Sequence, residues 1–347
     1  MPRHRGTFKP SRPEPYELSR GRVEDFIKCP ACFWLDRVKG VKFPSIPGFN
    51  INSATDLLLK RDFNRYRERQ LSHPFMIRNG LEHLVPFAHE DLERWVNALH
   101  FGASLNHFNT IHEETNILFG GGIDDVWRNV ETGELHVVDY KSTSQGVMAP
   151  KKEPKEINLE GRWKQGYKRQ IEMYQWILRR KGFQVNDVGY FVYVDGQHYG
   201  IDGMLDDTEN QANMSFKATL LTYRGDDSWV ADALQNVHTV LNQSHCPNHD
   251  PDCEHARFFD GVAKAMDEPA ATNGGNQQMT EFISSDLKAA ADRVAEACQK
   301  LQQSLSERKY LESDSELIDF LRVQLQGGED QLRSIAEDVS KRDSAGG

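Results

Sequence analysis

The sequence predicts a mixed α/β (α+β) fold, with a central sheet flanked by helices and a helical appendage at the C-terminus. Helical periodicity dominates residues 19–100, and a two-residue alternation replaces it over residues 115–141. A long helix and two further strands then follow, and the order helix, hairpin, helix, strand is typical of a mixed sheet covered by helices. Beyond residue 280 the chain is rich in helix-forming residues and contains no proline, which predicts the appendage.

Three helices are expected before the sheet. Residues 19–37 carry apolar side chains at helical spacing, and Pro30 ends or kinks this first helix. Residues 52–69 predict a second amphipathic helix, and residues 90–100 predict a third. The residues expected on the buried side of the second helix are Leu57, Leu58, Phe63 and Tyr66.

The alternating region predicts a β-hairpin. Residues 115–127 and 135–141 alternate between apolar and polar side chains, and a polar run with a Thr-Gly turn joins them. Residues 166–181 predict a long helix that ends at Gly182. The remaining elements are strands at 188–194 and 214–223, a helix at 228–243 and an irregular Cys/His-bearing segment at 246–258.

Composition divides the chain into four parts. Residues 1–15 are rich in Pro, Arg and His and are expected to be disordered, and residues 16–265 form one domain. The Gly/Asn/Gln-rich residues 266–279 predict a linker before a helical tail at 280–347. Apolar stripes along the tail require burial, so a helical hairpin packed on its own molecule and a protein partner or self-association through the tail are the alternatives.

Several classes of protein are disfavoured by composition. No run approaches the ~18 consecutive apolar residues of a membrane helix, and the basic N-terminus lacks the apolar core of a signal peptide. A cytoplasmic location is therefore expected, in which cysteines stay free of disulfides. The net charge is −10, yet residues 1–72 carry 15 Lys/Arg against 8 Asp/Glu. This asymmetry is compatible with a basic, substrate-facing surface and equally with a protein that binds no polyanion.

Two aspartates and a lysine form the candidate reactive group. Alternate side chains of a strand share a face, so Asp139 and Lys141 project together, and Asp124 comes close if the hairpin strands pair. Neighbouring carboxylates repel each other unless a cation lies between them, and oxygen ligands favour Mg²⁺ or Mn²⁺. With a lysine that holds water or stabilises phosphate charge, the group suits metal-assisted phosphodiester hydrolysis. A surface hairpin with an Asp–Lys ion pair is the alternative.

A third motif follows on the helix that comes next. Gln170 and Tyr174 lie four residues apart and share one helical face. The ordered motifs Gly-x-Ile-Asp124, Asp139-x-Lys141 and Gln170-x-x-x-Tyr174 resemble those of the RecB-like and CRISPR-adaptation branch of the PD-(D/E)XK nuclease superfamily. The resemblance implies that Gln170 and Tyr174 orient the lysine or contact DNA. The alternative is an ordinary amphipathic helix, in which Gln170 lies on the polar edge and Tyr174 packs in the core.

The resemblance covers about residues 16–260 and includes the Cys29-Pro30 opening. It implies a restriction-endonuclease-like core and a Mg²⁺- or Mn²⁺-dependent deoxyribonuclease. The implied enzyme is exonuclease-like, acts on single strands or DNA ends, and serves DNA repair, recombination or defence. A catalytically silent nucleic-acid-binding scaffold and a zinc-stabilised interaction module remain as alternatives.

The resemblance also assigns roles to individual residues. It implies that Asp124 and Asp139 are metal ligands, that the carbonyl of Tyr140 adds another, and that Lys141 is the catalytic lysine. Many members of the branch have a histidine in the first active-site helix, and Asp56 stands at that position here. Because an aspartate binds Mg²⁺ at least as well as a histidine, Asp56 is expected to be a further ligand.

The region around the motif helix is basic. Its Lys and Arg side chains are candidates for phosphate contacts, and its aromatic residues could stack on unpaired bases. A solvated helix face would explain the charges equally well. The residues concerned are Arg162, Lys164, Lys168, Arg169, Arg179, Arg180 and Lys181, with Trp163, Tyr167 and Trp176 between them.

Four of the five cysteines flank the core, with Cys29 and Cys32 before it and Cys246 and Cys253 after it. Nucleases of the branch that this chain resembles often hold a four-cysteine iron–sulfur cluster, with one cysteine upstream and three downstream. This chain departs from that pattern, so Zn²⁺ and a [4Fe–4S] cluster both remain open, as do cysteines without metal. Further candidate ligands are His249 and His255.

Overall fold

The computed structural model describes residues 3–43, 48–145, 155–206 and 208–267. The predicted tail and most of the predicted linker lie outside these residues. Strands β1 to β8 are Tyr16–Ser19, Leu84–Pro86, Asn109–His112, Ile117–Gly120, Asp125–Asn129, Leu135–Thr143, Val188–Gly196 and Phe216–Arg224. Helices α1 to α8 are Arg20–Lys28, Pro30–Arg37, Asn50–Arg67, Pro74–Arg78, Leu92–Trp95, Gln165–Arg180, Val230–Leu241 and Glu254–Asp267.

A mixed five-stranded sheet forms the centre of the domain, which confirms the predicted α/β architecture. Its strand order is β2-β5-β6-β7-β8, with β6 and β7 parallel and the other neighbours antiparallel. Residues Met1–Gly261 form one compact unit around this sheet. Among the described helices, none is long and apolar enough to cross a membrane.

Helices cover both faces of this sheet, and β6 shows how its sequence assigns residues to each face. Val138 and Tyr140 pack with Phe63 of α3 in one apolar cluster. Val137, on the opposite face, packs with Ile171 and other apolar residues of α6. The intervening Asp139 is therefore directed toward α6, as the two-residue alternation predicts.

The predicted hairpin forms, but its first strand is shorter than expected. β5 pairs with β6 through a turn in which Asn129 Oδ1 accepts hydrogen bonds from the amides of Glu131 and Thr132. Residues 117–120 instead form β4 of a separate three-stranded sheet with order β1-β4-β3. The chain changes sheet over residues 121–124, and a Cβ at Gly122 would lie 2.7 Å from Ala98 Cβ. Glycine is needed there because two backbone segments approach closely.

The second helix begins two residues early, and its buried side differs from the prediction. Leu57 and Leu58 are 53% and 61% exposed, whereas Thr55 and Phe63 are buried. The prediction for these two leucines was wrong. The helix packs on the sheet through the face that carries Leu59 and Phe63, four residues apart, and Leu57 and Leu58 lie outside that face. The predicted third helix is reduced to α5 and a short 3₁₀ turn, and α8 begins inside the segment predicted to be irregular.

Residues 3–15 contact the domain, whereas composition predicted disorder for residues 1–15. His4 is buried, its Nε2 accepts a hydrogen bond from the amide of Lys9, and Tyr16 donates from its hydroxyl to the carbonyl of Gly6. Arg3 also forms an ion pair with Glu17 of β1. Composition alone does not predict this arrangement because two of the stabilising partners, Tyr16 and Glu17, belong to the domain.

Candidate active site

The hairpin register brings the two aspartates of the motifs together. Asp125 pairs with Val138 in the antiparallel ladder, which places Asp124 opposite Asp139. Asp124 precedes the strand, and its Oδ2 accepts a hydrogen bond of 3.0 Å from the backbone amide of Tyr140. The carboxylate of Asp124 is thereby held beside the strand that carries Asp139 and Lys141.

Asp139 is the most enclosed acid of the group, with a side chain only 1% exposed. Its Oδ2 lies 2.5 Å from Lys141 Nζ, and its Oδ1 accepts a hydrogen bond of 2.7 Å from Gln170 Nε2 of α6. Burial raises the pKa of Asp139, Lys141 lowers it and Asp124 raises it, and the net result is a pKa of about 7. The strand and α6 together fix this carboxylate in one orientation.

Asp56 joins the group from the opposite side, on α3. The hydroxyl of Thr55 hydrogen-bonds with that of Ser142, which anchors α3 against the end of β6. Burial raises the pKa of Asp56 above its ordinary value, although a hydrogen bond from Lys60 lowers it in part. Lys60 Nζ lies 2.8 Å from Asp56 Oδ2 and 3.6 Å from Asp124 Oδ1. The structure therefore brings Asp56, Asp124, Asp139 and Lys141 into one site.

Gln170 and Tyr174 have positioning contacts, and neither lies on the surface. Gln170 contacts Asp139 rather than the lysine. Tyr174 is 3% exposed and donates a hydrogen bond of 2.7 Å to the carbonyl of Gly122, in the segment that leads to Asp124. These contacts join α6 to Asp139 and to the segment that leads to Asp124, and the predicted roles in orienting the lysine or contacting DNA stay predictions.

The side chain of Tyr140 faces away from the site. Its hydroxyl donates a hydrogen bond of 2.6 Å to Asp125 Oδ2, and Asp125 also accepts from Arg67 of α3. This buried network ties α3 to the sheet beneath the candidate site. Any contribution of Tyr140 to metal binding is restricted to its backbone carbonyl.

The donor set fits a hard divalent cation. Three carboxylates and a nearby backbone carbonyl offer oxygen atoms, which Mg²⁺ and Mn²⁺ prefer. Two of these acids, Asp56 and Asp139, have pKa values raised by burial and by the neighbouring Asp124. Carboxylates this close repel each other unless a cation lies nearby. In the described structure the positive charge comes from Lys60 beside Asp124 and from Lys141 beside Asp139.

Most of the basic residues proposed for phosphate contacts are engaged within the protein. Arg169 forms two hydrogen bonds with Glu24, Arg179 pairs with Asp187 and Asp227, and Lys181 contacts two backbone carbonyls. These contacts fasten α6 to its neighbours, and the predicted phosphate contacts of the same side chains stay a prediction.

An aromatic and basic surface remains beside the site. Trp163 is 85% exposed, just before α6. Lys164 Nζ lies 3.3 Å from the hydroxyl of Tyr193, the residue paired with Lys141 in the parallel ladder. The ammonium of Lys141 lies over the ring of Tyr167, with Nζ 4.6 Å from the ring centroid. Unlike Trp163, Trp176 packs against Phe119 and is a core contact.

A second cluster unites the two ends of the domain. Cys29, Cys32, His249 and Cys253 place one ligand atom each within 4.8 Å of one another. The Cys32 and Cys253 sulfurs are 3.5 Å apart, and Cys29 Sγ lies 3.4 Å from His249 Nδ1. The predicted fourth cysteine, Cys246, is not part of this group, and its exposed thiol lies 3.9 Å from the carbonyl of Ala31. The structure thus replaces the expected Cys₄ set by Cys₃His.

The environment of this cluster favours a thiolate. Burial raises the pKa of the Cys29 thiol. Hydrogen bonds from the backbone amides of Cys32 and Asp250 and from the ring of His249 lower it by more, so the net pKa is about 7, below the ordinary value. Burial and hydrogen bonds with Cys253 and Cys29 raise the pKa of Cys32. Thiolate ligands are required for binding of Zn²⁺ or iron, so Cys29 is already disposed toward a metal.

A helix-flanked mixed sheet with an Asp-x-Lys strand beside a second aspartate defines the restriction-endonuclease-like class of fold. The family model of the PD-(D/E)XK nuclease superfamily matches residues 17–255, and the chain belongs to that superfamily. Members of this superfamily are generally nucleases that use divalent metal ions. Comparisons with curated proteins and with solved structures gave no match.

The sequence interpretation did not include Lys60. A signal was available, because Asp56 and Lys60 have the i, i+4 spacing that brings helical side chains together. His249 was foreseen only as an alternative ligand, since spacing along an irregular segment does not predict which side chain points inward. Arg67 could not be identified from sequence because its contact with Asp125 depends on how α3 crosses the sheet.

Proposed function

We propose that this protein is a Mg²⁺- or Mn²⁺-dependent deoxyribonuclease of the RecB-like and CRISPR-adaptation branch. The observation that carries the proposal is the contact chain Lys141–Asp139–Gln170, with Asp124 held opposite Asp139. A surface hairpin would leave an Asp–Lys pair exposed, whereas this pair is nearly enclosed and supported from α6. We assign DNA repair, recombination or defence in the cytoplasm as its setting.

The chemistry divides among the residues of the chain. A bound divalent ion would polarise the phosphate and lower the pKa of an attacking water. Asp56, Asp124, Asp139 and the Tyr140 carbonyl would hold that ion. Lys141 lies next to Asp139, where its ammonium can orient the water or stabilise negative charge on the phosphate. Gln170 keeps Asp139 directed toward the site by its hydrogen bond.

Cleavage assays test this assignment. End-labelled single and double strands of both polarities are incubated with Mn²⁺ or Mg²⁺, and product lengths distinguish exonuclease from endonuclease action. We expect activity that is lost in Asp139→Asn and in Lys141→Ala but retained in Glu131→Gln, a change in the distant hairpin turn. Equal cleavage by all these proteins would exclude the site, and DNA binding without any cleavage would favour the silent scaffold.

The preference for single strands or DNA ends is supported by Trp163. An 85% exposed tryptophan next to Lys164 offers a stacking surface for an unpaired base and a charge for its phosphate. Trp163→Ala should weaken binding of an oligothymidine by about 5- to 150-fold, since one stacked base contributes ~1–3 kcal/mol. Duplex affinity should change much less, and Tyr199→Ala, which alters another exposed aromatic residue, serves as the control.

We propose further that Cys29, Cys32, His249 and Cys253 bind one Zn²⁺. A Cys₃His set is a usual structural zinc site, whereas [4Fe–4S] clusters are generally held by four cysteines. Zinc would then support the nuclease rather than define a separate interaction module. Metal analysis of protein purified without oxygen tests this, because a cluster would contain iron and absorb near ~400 nm.

A further inference from the structure

Lys60 lies between two of the candidate metal ligands. Its Nζ donates a hydrogen bond of 2.8 Å to Asp56 Oδ2 and lies 3.6 Å from Asp124 Oδ1. The side chains are only partly exposed, at 23% for Lys60, 31% for Asp56 and 22% for Asp124. An ammonium group therefore contacts the same carboxylate oxygens that a divalent ion would use.

The charges of the site divide into two sets. Asp139 has its own counter-ion, since Lys141 Nζ contacts it at 2.5 Å. Asp56 and Asp124 share Lys60 instead. Carboxylates at this depth repel each other strongly because water screens them incompletely. Without the ammonium of Lys60, Asp56 and Asp124 would lose the counter-charge that both of them contact in the metal-free protein.

We propose that Lys60 is an internal counter-cation that holds Asp56 and Asp124 in the metal-free protein and leaves them when a divalent ion binds. The proposal rests on the proposed metal-dependent function and adds a positioning residue to it. Lys60 is attached to α3 by a flexible four-carbon stem, so its ammonium can move away while α3 remains anchored. Thr55 and Phe63 provide that anchor through Ser142 and the apolar cluster.

Competition between Lys60 and the metal has a measurable consequence. A ligand that must break an existing contact binds more weakly by the free energy of that contact. Removing the positive charge of Lys60 should therefore strengthen divalent-ion binding, by roughly 3- to 30-fold for a partly screened ion pair. The same change should lower the thermal stability of the metal-free protein, because Asp56 and Asp124 then repel each other.

The test measures Mn²⁺ affinity of the full chain by electron paramagnetic resonance at constant ionic strength. Mn²⁺ is the probe because it prefers oxygen ligands and competes little for thiolates. Lys60→Gln should bind Mn²⁺ more tightly than the natural protein, and Lys60→Arg, which keeps the charge, should not. Arg61→Gln is the matched control, since it removes one charge from an exposed position on the same helix.

Each outcome supports or overturns the role of Lys60. Mn²⁺ affinity in Lys60→Gln that is unchanged or weaker, or a gain equal to that of Arg61→Gln, would overturn it. If the natural protein binds Mn²⁺ and Asp124→Asn abolishes binding, the metal site stands whatever Lys60 does. If Mn²⁺ binds neither the natural protein nor Lys60→Gln, the proposed metal-dependent function fails together with this inference. Thermal unfolding in a chelator shows whether each variant is folded.

Discussion

Gln170 and Asp139 form a buried hydrogen bond of 2.7 Å that joins α6 to the central strand of the site. The amide donates from Nε2 to Oδ1 of Asp139, while Oδ2 contacts the ammonium of Lys141, so both oxygens are held. This hydrogen bond therefore connects the Asp-x-Lys strand directly to the Gln-x-x-x-Tyr helix, although Asp139 and Gln170 are thirty-one positions apart in the sequence.

Replacing Gln170 should impair the reaction without unfolding the protein. In Gln170→Met the volume is nearly kept but the donor is lost, and we expect cleavage to slow by about 10- to 100-fold, as for other residues that orient metal ligands. The Mn²⁺ concentration for half-maximal rate should rise as well. A rate equal to that of the natural protein, with normal metal dependence, would show that Asp139 needs no such support.

The hydroxyl of Tyr174 should make its own contribution to stability, separate from the packing of the ring. Tyr174→Phe leaves the carbonyl of Gly122 without this hydrogen bond, and we expect the free energy of unfolding to fall by about 1 kcal/mol. Urea denaturation measures this, and Tyr199→Phe is the control because that ring is 46% exposed. A stability loss in both variants, or in neither, would contradict a specific role for the Tyr174–Gly122 bond.

The pH dependence of stability should report on Asp139. Its pKa is raised by burial from 3.8 to about 7 on folding. A raised folded-state pKa means that protonation stabilises the fold fully below pH 3.8, and that this contribution is lost as the pH rises through about 7. In a chelator, the natural protein should therefore unfold at a lower temperature at pH ~8 than at pH ~6.

Asp139→Asn imitates the protonated acid and should reduce this dependence, by about 3 °C or more. Its melting temperature at the higher pH should equal or exceed that of the natural protein. The same pH dependence in both proteins would assign the effect to another group. Glu131→Gln serves as the control because Glu131 lies in the exposed hairpin turn.

Single cysteine replacements should distinguish the two possible ligand sets. Cys253→Ser should lose the bound metal, whereas Cys246→Ser should keep it, because His249 and not Cys246 completes the cluster. Metal content per chain and melting temperature are the measurements. Loss of metal in both variants would instead indicate a four-cysteine site, and retention in both would show that Cys253 is not a ligand.

The strand portions of the site could be predicted from sequence because their geometry is local. A two-residue period fixes that Asp139 and Lys141 share a face, and a short turn fixes which residues pair across β5 and β6. The i, i+4 rule likewise places Gln170 and Tyr174 together. These relations hold wherever the strand and the helix form, so no tertiary information was required.

The remaining features depend on packing between distant segments. Nothing local shows that α3 crosses the sheet with Lys60 beside Asp124, or that Arg169 contacts Glu24. The apolar character of Leu57 and Leu58 also suggested the wrong buried side for α3, because both leucines are exposed. Such errors arise where tertiary contacts override the local pattern.

The cysteine–histidine cluster also bears on how the chain folds. Its contact between Cys29 and His249 joins positions 220 residues apart, so the cluster assembles only after the intervening sheet has brought them together. A metal cross-link of this span would restrict the unfolded chain by an amount comparable to a long-loop disulfide, about 5 kcal/mol in the chain-entropy view. A bound metal would consequently stabilise only chains that extend past His249 and Cys253, because a shorter chain would keep just Cys29 and Cys32 of the four ligands.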